Sequence, residues 1–211
     1  MKNIIVTVDG PAASGKEKIS KYISKNFKLK HLDSGILYRR LAYIFINEGI
    51  NIKKINEIKN KLKIIDTISY KNNKKIRTQQ ISTVSSRIAV YNCVRIFVNK
   101  LQYKFVKDNK YYRGFVVDGR DIGSVVFKKA DLKLYIDVKP EIRAKRRYKQ
   151  LIDRGEKSIY RKILKDIKLR DYKDKKRKHS PLVIPKNALI IDNNDSFRST
   201  AKKINSLLLK I

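Results

Sequence analysis

A short loop near the start of the chain carries the residue types of a phosphate-binding site. Residues 10–16 fit the pattern G-x-x-x-x-G-K and read Gly10-Pro11-Ala12-Ala13-Ser14-Gly15-Lys16. Successive backbone N–H groups in such a loop point inward at a phosphate, and Lys16 would reach the β- and γ-phosphates of a nucleotide. A chance glycine turn in front of an amphipathic helix is the alternative interpretation. The elements on either side of the loop distinguish the two.

The flanking segments are the ones that a phosphate-binding loop requires. Ile4–Val8 is rich in β-branched residues and predicts a strand. Glu17–Phe27 has apolar residues at helical spacing and predicts a helix. Because a strand, a glycine-bearing loop and a helix follow one another in this order, we interpret residues 10–18 as a nucleotide-phosphate site.

Two positions depart from the usual pattern of such a loop. A Ser or Thr normally follows the lysine and gives Mg²⁺ a hydroxyl ligand, but this chain has Glu17 and then Lys18. A glutamate in the first turn of a helix is favourable because it faces the positive end of the helix dipole. Glu17 could also repel the phosphate or touch the coordination shell of the metal, and the sequence leaves these possibilities open.

The rest of the chain alternates predicted helices and strands. Helices are predicted at about Gly35–Asn47, Ile52–Ile65 and Ser82–Lys107, from Pro140 and from about Ser196. Further strands are predicted at Phe115–Asp118, Lys133–Val138 and Ala188–Asp192. This alternation indicates an α/β fold in which helices cover both faces of a parallel sheet. Such sheets bind ligands beyond the carboxyl ends of their strands.

The composition is that of one globular domain, 1–211, with a large positive charge. The net charge of +33 attracts any polyanion, so by itself it does not choose between nucleic acid, nucleotide and phosphate. We interpret most of it as overall composition on a solvated surface, because the lysines are scattered among many Ile and Asn residues. The single cysteine, Cys93, excludes an internal disulfide, and no run approaches the roughly 18 apolar residues of a membrane helix. We therefore expect a cytoplasmic protein.

Five segments, in chain order, resemble bacterial cytidylate kinases. They are residues 8–16, 32–39, 76–79, 117–127 with the sequence D-G-R-D-I-G-x-V-V-F, and 170–182. The resemblance implies a P-loop NTPase core with a nucleoside-monophosphate-binding insertion at about 60–95 and a small helical lid at about 143–165. The insertion is shortened, because only Thr67–Ile76 separate Asp66 from Arg77. The implied reaction transfers the γ-phosphoryl group of ATP to CMP or dCMP with Mg²⁺ as cofactor.

The resemblance also assigns the positions that bind cytosine. Asp121 and Ser34 match the base-recognition residues, and Arg95 is the matching donor. A carboxylate or hydroxyl acceptor suits the N4 amino group of cytosine, whereas uracil would place an oxygen against Asp121. The alternatives are that Asp121 is a solvated carboxylate paired to Arg120 and that Ser34 caps the helix near Gly35.

Six further positions match the rest of the nucleotide. The match assigns Arg39, Arg120 and Arg177 to the monophosphate, and Ser86, Arg170 and Asp174 to the ribose. Arginine suits the phosphate positions because its planar guanidinium holds two oxygens at once. The spacing of residues 170, 174 and 177 predicts that they share one helix face. Without the resemblance this stretch would be interpreted as a solvated charged helix.

The predicted catalytic residues are cations that stabilise the charge of the transferred group. They are Lys16, Arg120 and Arg147, the last chosen from the lid arginines Arg143, Arg146, Arg147, Arg154 and Arg161. Asp118 resembles the carboxylate that orients a metal-bound water, and Asp9 flanks the phosphate loop. Either carboxylate could instead fix the loop backbone. His31 and His179 are isolated and are predicted to be structural.

Two other functions stay open at this point. A kinase of the adenylate or shikimate type would share the fold, but Asp121, Gly123 and the face of Arg170, Asp174 and Arg177 argue against it. A degenerate relative that binds nucleic acid would explain the charge and the missing hydroxyl, yet the sequence has no recognised reader motif. We expect a monomer whose partners are ATP and CMP or dCMP, with no specific nucleic acid and no membrane.

Overall fold

The computed structural model describes residues 3–153 and 155–208, which form two compact units. One unit contains the chain up to His31 and from Arg113 onward, and the other is Leu32–Tyr112. Each unit has a buried apolar core of its own. The segment predicted as an insertion, at about 60–95, lies within the second unit.

The first unit is built on a parallel sheet, whose second strand extends two residues past the boundary at His31. In chain order the strands are β1 (Ile4–Asp9), β2 (Lys30–Asp33), β3 (Gly114–Gly119), β4 (Leu132–Asp137) and β5 (Leu189–Asp192). Their order across the sheet is β2-β3-β1-β4-β5, and the β1–β3, β1–β4 and β4–β5 pairs are parallel. Asp9 lies opposite Gly119 in the register of β1 and β3. The loops that follow these two strands therefore leave the same edge of the sheet.

Eight α-helices occur in the described part of the chain. They are α1 (Lys16–Phe27), α2 (Ser34–Asn47), α3 (Ile55–Ile64), α4 (Gln79–Ile88), α5 (Asn92–Asp108), α6 (Pro140–Ile152), α7 (Tyr160–Lys176) and α8 (Phe197–Leu208). A short 3₁₀ turn at Lys74–Arg77 and a wide π turn at Ile122–Val126 complete the elements. Within the described residues no helix has the length and apolar content to cross a membrane.

The cores follow the apolar periodicity of the sequence. In the first unit, Val6 and Val8 of β1 pack with Ile19 and Ile23 of α1 and with the apolar residues of β4. In the second unit, Leu37, Leu41 and Phe45 recur at intervals of four on α2 and are fully buried against the other helices of that unit. The α/β fold with a parallel sheet, predicted from the sequence, is confirmed.

The prediction of one helical stretch over Ser82–Lys107 is wrong, because the chain turns between α4 and α5. Val90 is exposed in this turn, and the Tyr91 hydroxyl donates to the carbonyl of Ile52 at 2.8 Å. Nη1 of Arg95 donates to the Ala89 carbonyl at 2.9 Å and so satisfies a carbonyl at the end of α4. Strand β2 was not predicted, because three of its four residues are polar or charged.

Candidate active site

The phosphate loop connects β1 to α1 in the first unit. Gly15, just before α1, has φ +86°, in the left-handed region that favours glycine. A Cβ at this position would also lie 2.8 Å from Nδ2 of Asn193. The first backbone N–H groups of α1 have no carbonyl partner within the helix, so a helix start of this kind suits an anion.

Side chains hold the carbonyl oxygens of this loop, one from the loop itself and three from distant parts of the unit. These four donate as follows: Arg120 Nη1 to Gly10 at 3.2 Å, Lys16 Nζ to Pro11 at 3.2 Å, Arg143 Nη1 to Ala12 at 3.1 Å and Asn193 Nδ2 to Ser14 at 2.8 Å. In a planar trans peptide the N–H points away from the carbonyl oxygen. The bonds to Pro11, Ala12 and Ser14 therefore set the directions of the next three N–H groups, those of Ala12, Ala13 and Gly15.

The side chains of Glu17 and Lys18 lie along the surface of α1. A Glu17 carboxylate oxygen accepts from Nζ of Lys21 at 2.9 Å, one helical turn further on. Nζ of Lys18 lies 4.1 Å from the ring centroid of Phe197 at the start of α8. With both side chains in these contacts, the two positions present their backbone N–H groups at the helix start.

Asp9 joins the phosphate loop to the D-G-R-D-I-G segment. One carboxylate oxygen accepts from the N–H of Ile122 at 2.8 Å, and the other accepts from the N–H of Gly123 at 2.7 Å. Burial raises the pKa of Asp9 to about 7, and the two N–H donors offset only part of that rise. A Cβ on Gly123 would lie 2.7 Å from Oγ1 of Thr7, which explains the glycine here. Asp9 thus fixes loop backbone, one of the two roles that the sequence left open.

Asp118 at the end of β3 is buried and lies next to a histidine. Its Oδ2 is 2.6 Å from Nε2 of His31 on β2, and its side chain is only 2% exposed. His31, which is isolated in the sequence, therefore contacts one of the candidate site residues in the folded chain.

Asp174 on α7 lies among the arginines that were predicted to bind the substrate. Its Oδ2 accepts from Nε of Arg120 at 2.7 Å, and its Oδ1 is 3.5 Å from Nη1 of Arg177. Burial alone would raise the pKa of Asp174, but the guanidinium groups of Arg120, Arg170 and Arg177 hold it below its ordinary value. Asp121 is also buried and lies 3.9 Å from Nη2 of Arg177. We call these five residues the Asp174 cluster.

The structure corrects one prediction about this cluster and rules out one alternative. Arg177 does not share a helix face with residues 170 and 174, because α7 ends at Lys176 and Arg177 adopts an extended conformation. Arg177 still contacts Asp174, and its Nε donates to the carbonyl of Ser180. Asp121 is not a solvated carboxylate paired to Arg120, since Arg120 pairs with Asp174 and Asp121 is buried.

The lid arginines differ sharply in their surroundings. Arg143 is 2% exposed, forms a two-pronged pair with the carboxylate of Asp171 and donates to the carbonyl of Val138. Arg146 donates to the carbonyls of Asn193 and Asp195. Arg147 is half-buried on α6 and Arg161 is exposed on α7, whereas Arg154 lies outside the described residues. Arg143 and Arg146 thus both donate hydrogen bonds to backbone carbonyl groups, and Arg143 also pairs with Asp171.

The other predicted substrate residues belong to the second unit. Ser34 is buried at the first position of α2, and its neighbour Asp33 caps the helix by accepting from the N–H of Gly35 at 2.9 Å. Capping by Ser34 is therefore ruled out. Arg39 on α2 and Ser86 on α4 are half-buried, and Arg95 on α5 is buried with its guanidinium carbon 5.8 Å from the ring centroid of Tyr38.

Sequence reasoning missed three residues that organise the site: Asp171, Asn193 and Thr200. The only local signal was the position of Asn193, a polar residue directly after the last strand, at the edge of a sheet where ligands bind. Asn193 donates to the Ser14 carbonyl across 179 positions of sequence. No periodicity or motif connects residues that far apart.

The described residues by themselves provide few ligands for a metal ion. They contain no group of three or more His, Cys, Asp or Glu side chains that could hold one. Mg²⁺ needs no such cage when it binds through the phosphates of a nucleotide and retains waters, with one or two carboxylates nearby. Asp118 at the sheet edge is a carboxylate of this kind. The residues thus fit a magnesium ion that arrives with ATP.

Comparison with known proteins gives a consistent picture. The family described as cytidylate kinase matches residues 6–210. Cytidylate kinases from Rickettsia felis and Rickettsia akari are 40% and 39% identical over 194 residues, which is 92% of this chain and 86% of each relative. The crystal structure of TT1252 from Thermus thermophilus aligns over 100% of this chain and 99% of its own with a TM-score of 0.55 and 15% identity. At that identity the last match supports the fold alone.

Proposed function

This chain belongs to the cytidylate kinase family and is an ATP-dependent kinase of CMP and dCMP, and we propose which of its residues carry each part of the reaction. The observation that carries the proposal is the position of Arg120. Its guanidinium donates both to Gly10 in the phosphate loop and to Asp174 in the Asp174 cluster. The nucleotide that donates the phosphoryl group and the one that accepts it would meet at this residue.

ATP binds at residues 10–18 in this proposal. The backbone N–H groups of the loop and of the first turn of α1 surround the phosphates, and Lys16 leaves Pro11 to contact their oxygens. Asp118 is the residue of this chain that would hold an Mg²⁺ ion bound with ATP, and the ion would neutralise charge on the phosphate oxygens.

The monophosphate binds at the Asp174 cluster. Arg120 and Arg177 hold its phosphate, while Arg170 and Asp174 contact the ribose. The attacking phosphate is already an anion, so the transfer needs neither a covalent intermediate nor a general base. Rate enhancement comes from positioning and from cations placed where negative charge develops, with Arg147 as the lid arginine that contributes.

Asp121 selects cytosine in this scheme. Its buried carboxylate accepts from the N4 amino group, whereas the O4 of uracil would set two acceptors against each other. A buried mismatch of this type typically costs about 1–3 kcal/mol, or roughly 5- to 150-fold in kcat/KM. The roles of Ser34, Arg39, Ser86 and Arg95 in the second unit stay predictions from the resemblance.

A coupled assay of ADP release tests the proposal. ATP is supplied with CMP, dCMP, UMP, AMP or shikimate as acceptor, and kcat/KM is measured for each. We expect CMP and dCMP to be well ahead of UMP, with AMP and shikimate near background. Asp121→Asn should narrow the gap between CMP and UMP. Equal values for CMP and UMP in the unmodified chain would contradict the role of Asp121.

A further inference from the structure

We infer that Asn193 is a positioning residue for ATP, which acts by fixing the peptide between Ser14 and Gly15 in the phosphate loop. The inference rests on the proposed function, since it takes that loop as the ATP site. Asn193 follows β5 and is 4% exposed. It does not touch the reacting groups in this proposal and influences them only through the loop.

Every polar group of Asn193 is used. The backbone N–H donates to Asp137 at 3.0 Å, and the backbone carbonyl accepts from Arg146 at 2.8 Å. In the side chain, Nδ2 donates to the Ser14 carbonyl at 2.8 Å, and Oδ1 accepts from the Thr200 hydroxyl at 2.8 Å. The residue therefore joins β4, α6, α8 and the phosphate loop at one buried point.

Thr200 determines which way the amide of Asn193 faces. If the amide were turned over, its oxygen would meet the carbonyl oxygen of Ser14, and two acceptors would be buried face to face. With the Thr200 hydroxyl donating to Oδ1, the NH₂ group is the part that reaches Ser14. Thr200 is 1% exposed, so water competes little for this bond.

The bond to Ser14 has a direct consequence for the loop. Because the peptide is planar and trans, a carbonyl held toward Asn193 leaves the N–H of Gly15 pointing to the opposite side. The Asn193 amide also occupies the space beside Gly15, where a Cβ would come within 2.8 Å of Nδ2. Asn193 thus fixes the direction of this N–H, and its close approach, together with the left-handed φ of +86°, requires a glycine at position 15. Loss of the Asn193 side chain should therefore weaken the binding of ATP and ADP and leave the binding of CMP unchanged.

The test uses uncharged variants, so that no new charge lies near the phosphates. Asn193→Leu keeps the approximate shape and removes both hydrogen bonds of the side chain. We expect its KM for ATP and its Kd for ADP, measured by calorimetry, to rise by about tenfold or more. Its KM for CMP should stay within about twofold. Asn26→Leu is the matched control, because Nδ2 of Asn26 also donates to a carbonyl, that of Tyr22, on the exposed end of α1.

A double variant separates positioning from stability. Asn193→Leu removes the close acceptor of the Thr200 hydroxyl and leaves it only the carbonyl of Ser196 at 3.5 Å, and adding Thr200→Val removes this poorly paired group. We expect the melting temperature of the double variant to recover toward that of the unmodified protein while its KM for ATP stays raised. If KM for ATP recovered together with the melting temperature, Asn193 would have only a structural role and the inference would be overturned.

Two further results keep the inference separate from the proposed function. If Lys16→Ala keeps its activity, the loop is not the ATP site and the proposed function fails. If Lys16→Ala is inactive but Asn193→Leu has an unchanged KM for ATP, only the inference fails. Should Asn193→Leu not fold, Thr200→Val alone gives the test, with an expected rise in KM for ATP of about threefold and none for CMP.

Discussion

The phosphate loop and the Asp174 cluster lie in the same unit but are held in different ways. Four of the loop's carbonyl oxygens accept from side chains, so its shape is set by hydrogen bonds before any phosphate arrives. In the Asp174 cluster three guanidinium groups surround two buried carboxylates, which leaves an excess of positive charge. The loop is therefore preorganised by geometry, whereas the cluster becomes electrically balanced when it takes up an anion.

Lys16→Ala should have the largest effect, because it removes the only side-chain cation within the loop itself. We expect kcat to fall by about 100-fold or more while the melting temperature stays within a few degrees. Lys21→Ala is the control, since Lys21 lies on the same helix and pairs with Glu17 on the exposed surface. A Lys16→Ala enzyme that retained most of its kcat would show that ATP binds elsewhere.

Arg120→Lys should come next, because Arg120 donates both to the phosphate loop and to Asp174. A lysine has one ammonium and cannot hold the Gly10 carbonyl and the Asp174 carboxylate in the geometry of the guanidinium. We expect kcat/KM to fall by roughly tenfold to 100-fold for ATP and for CMP alike, as measured by ADP release. Arg113→Lys, at an exposed position of the same unit, should change neither. A loss confined to one substrate would mean that Arg120 serves only one region.

Restoring the usual residues after Lys16 should have a smaller effect. Since the side chains of Glu17 and Lys18 contact Lys21 and Phe197, the loop does not depend on them for its shape. We expect Glu17→Gly with Lys18→Thr to change kcat/KM for ATP by less than about tenfold, or about 1.4 kcal/mol. An unmodified chain that is inert, and that gains activity only with these two substitutions, would show instead that the loop is degenerate.

Asp9 should make the stability of the fold, rather than turnover, depend on pH. The folded protein holds the Asp9 proton more tightly than the unfolded chain does, because its pKa rises from 3.8 to about 7. Stability from this group is therefore present at low pH and is lost as the pH rises toward 7. Between pH 5 and 7.5 the free energy of unfolding should fall by about 2 kcal/mol more in the unmodified chain than in Asp9→Asn. The free energy of unfolding is measured by denaturation at each pH. If it changed equally in the two proteins between pH 5 and 7.5, the shifted pKa would be refuted.

The sequence predicts those parts of the molecule that depend on residues close to one another in the chain. The phosphate loop follows from the order of Gly10, Gly15 and Lys16 between a strand and a helix, and the sheet follows from its apolar strands. The role of Asn193 could not be predicted, because its partners Ser14 and Thr200 meet it only in the folded chain. Strand β2 could not be predicted either, because Leu32 is the one apolar residue among its four.

The most direct test of the account measures the binding of each nucleotide separately by calorimetry. ADP and CMP are titrated into Lys16→Ala and into Arg177→Lys. We predict that Lys16→Ala weakens ADP binding by about tenfold or more and leaves the Kd for CMP within about twofold, and that Arg177→Lys does the reverse. If either variant weakened both nucleotides equally, the loop and the Asp174 cluster would not be separate sites for ATP and CMP, and the account would be contradicted.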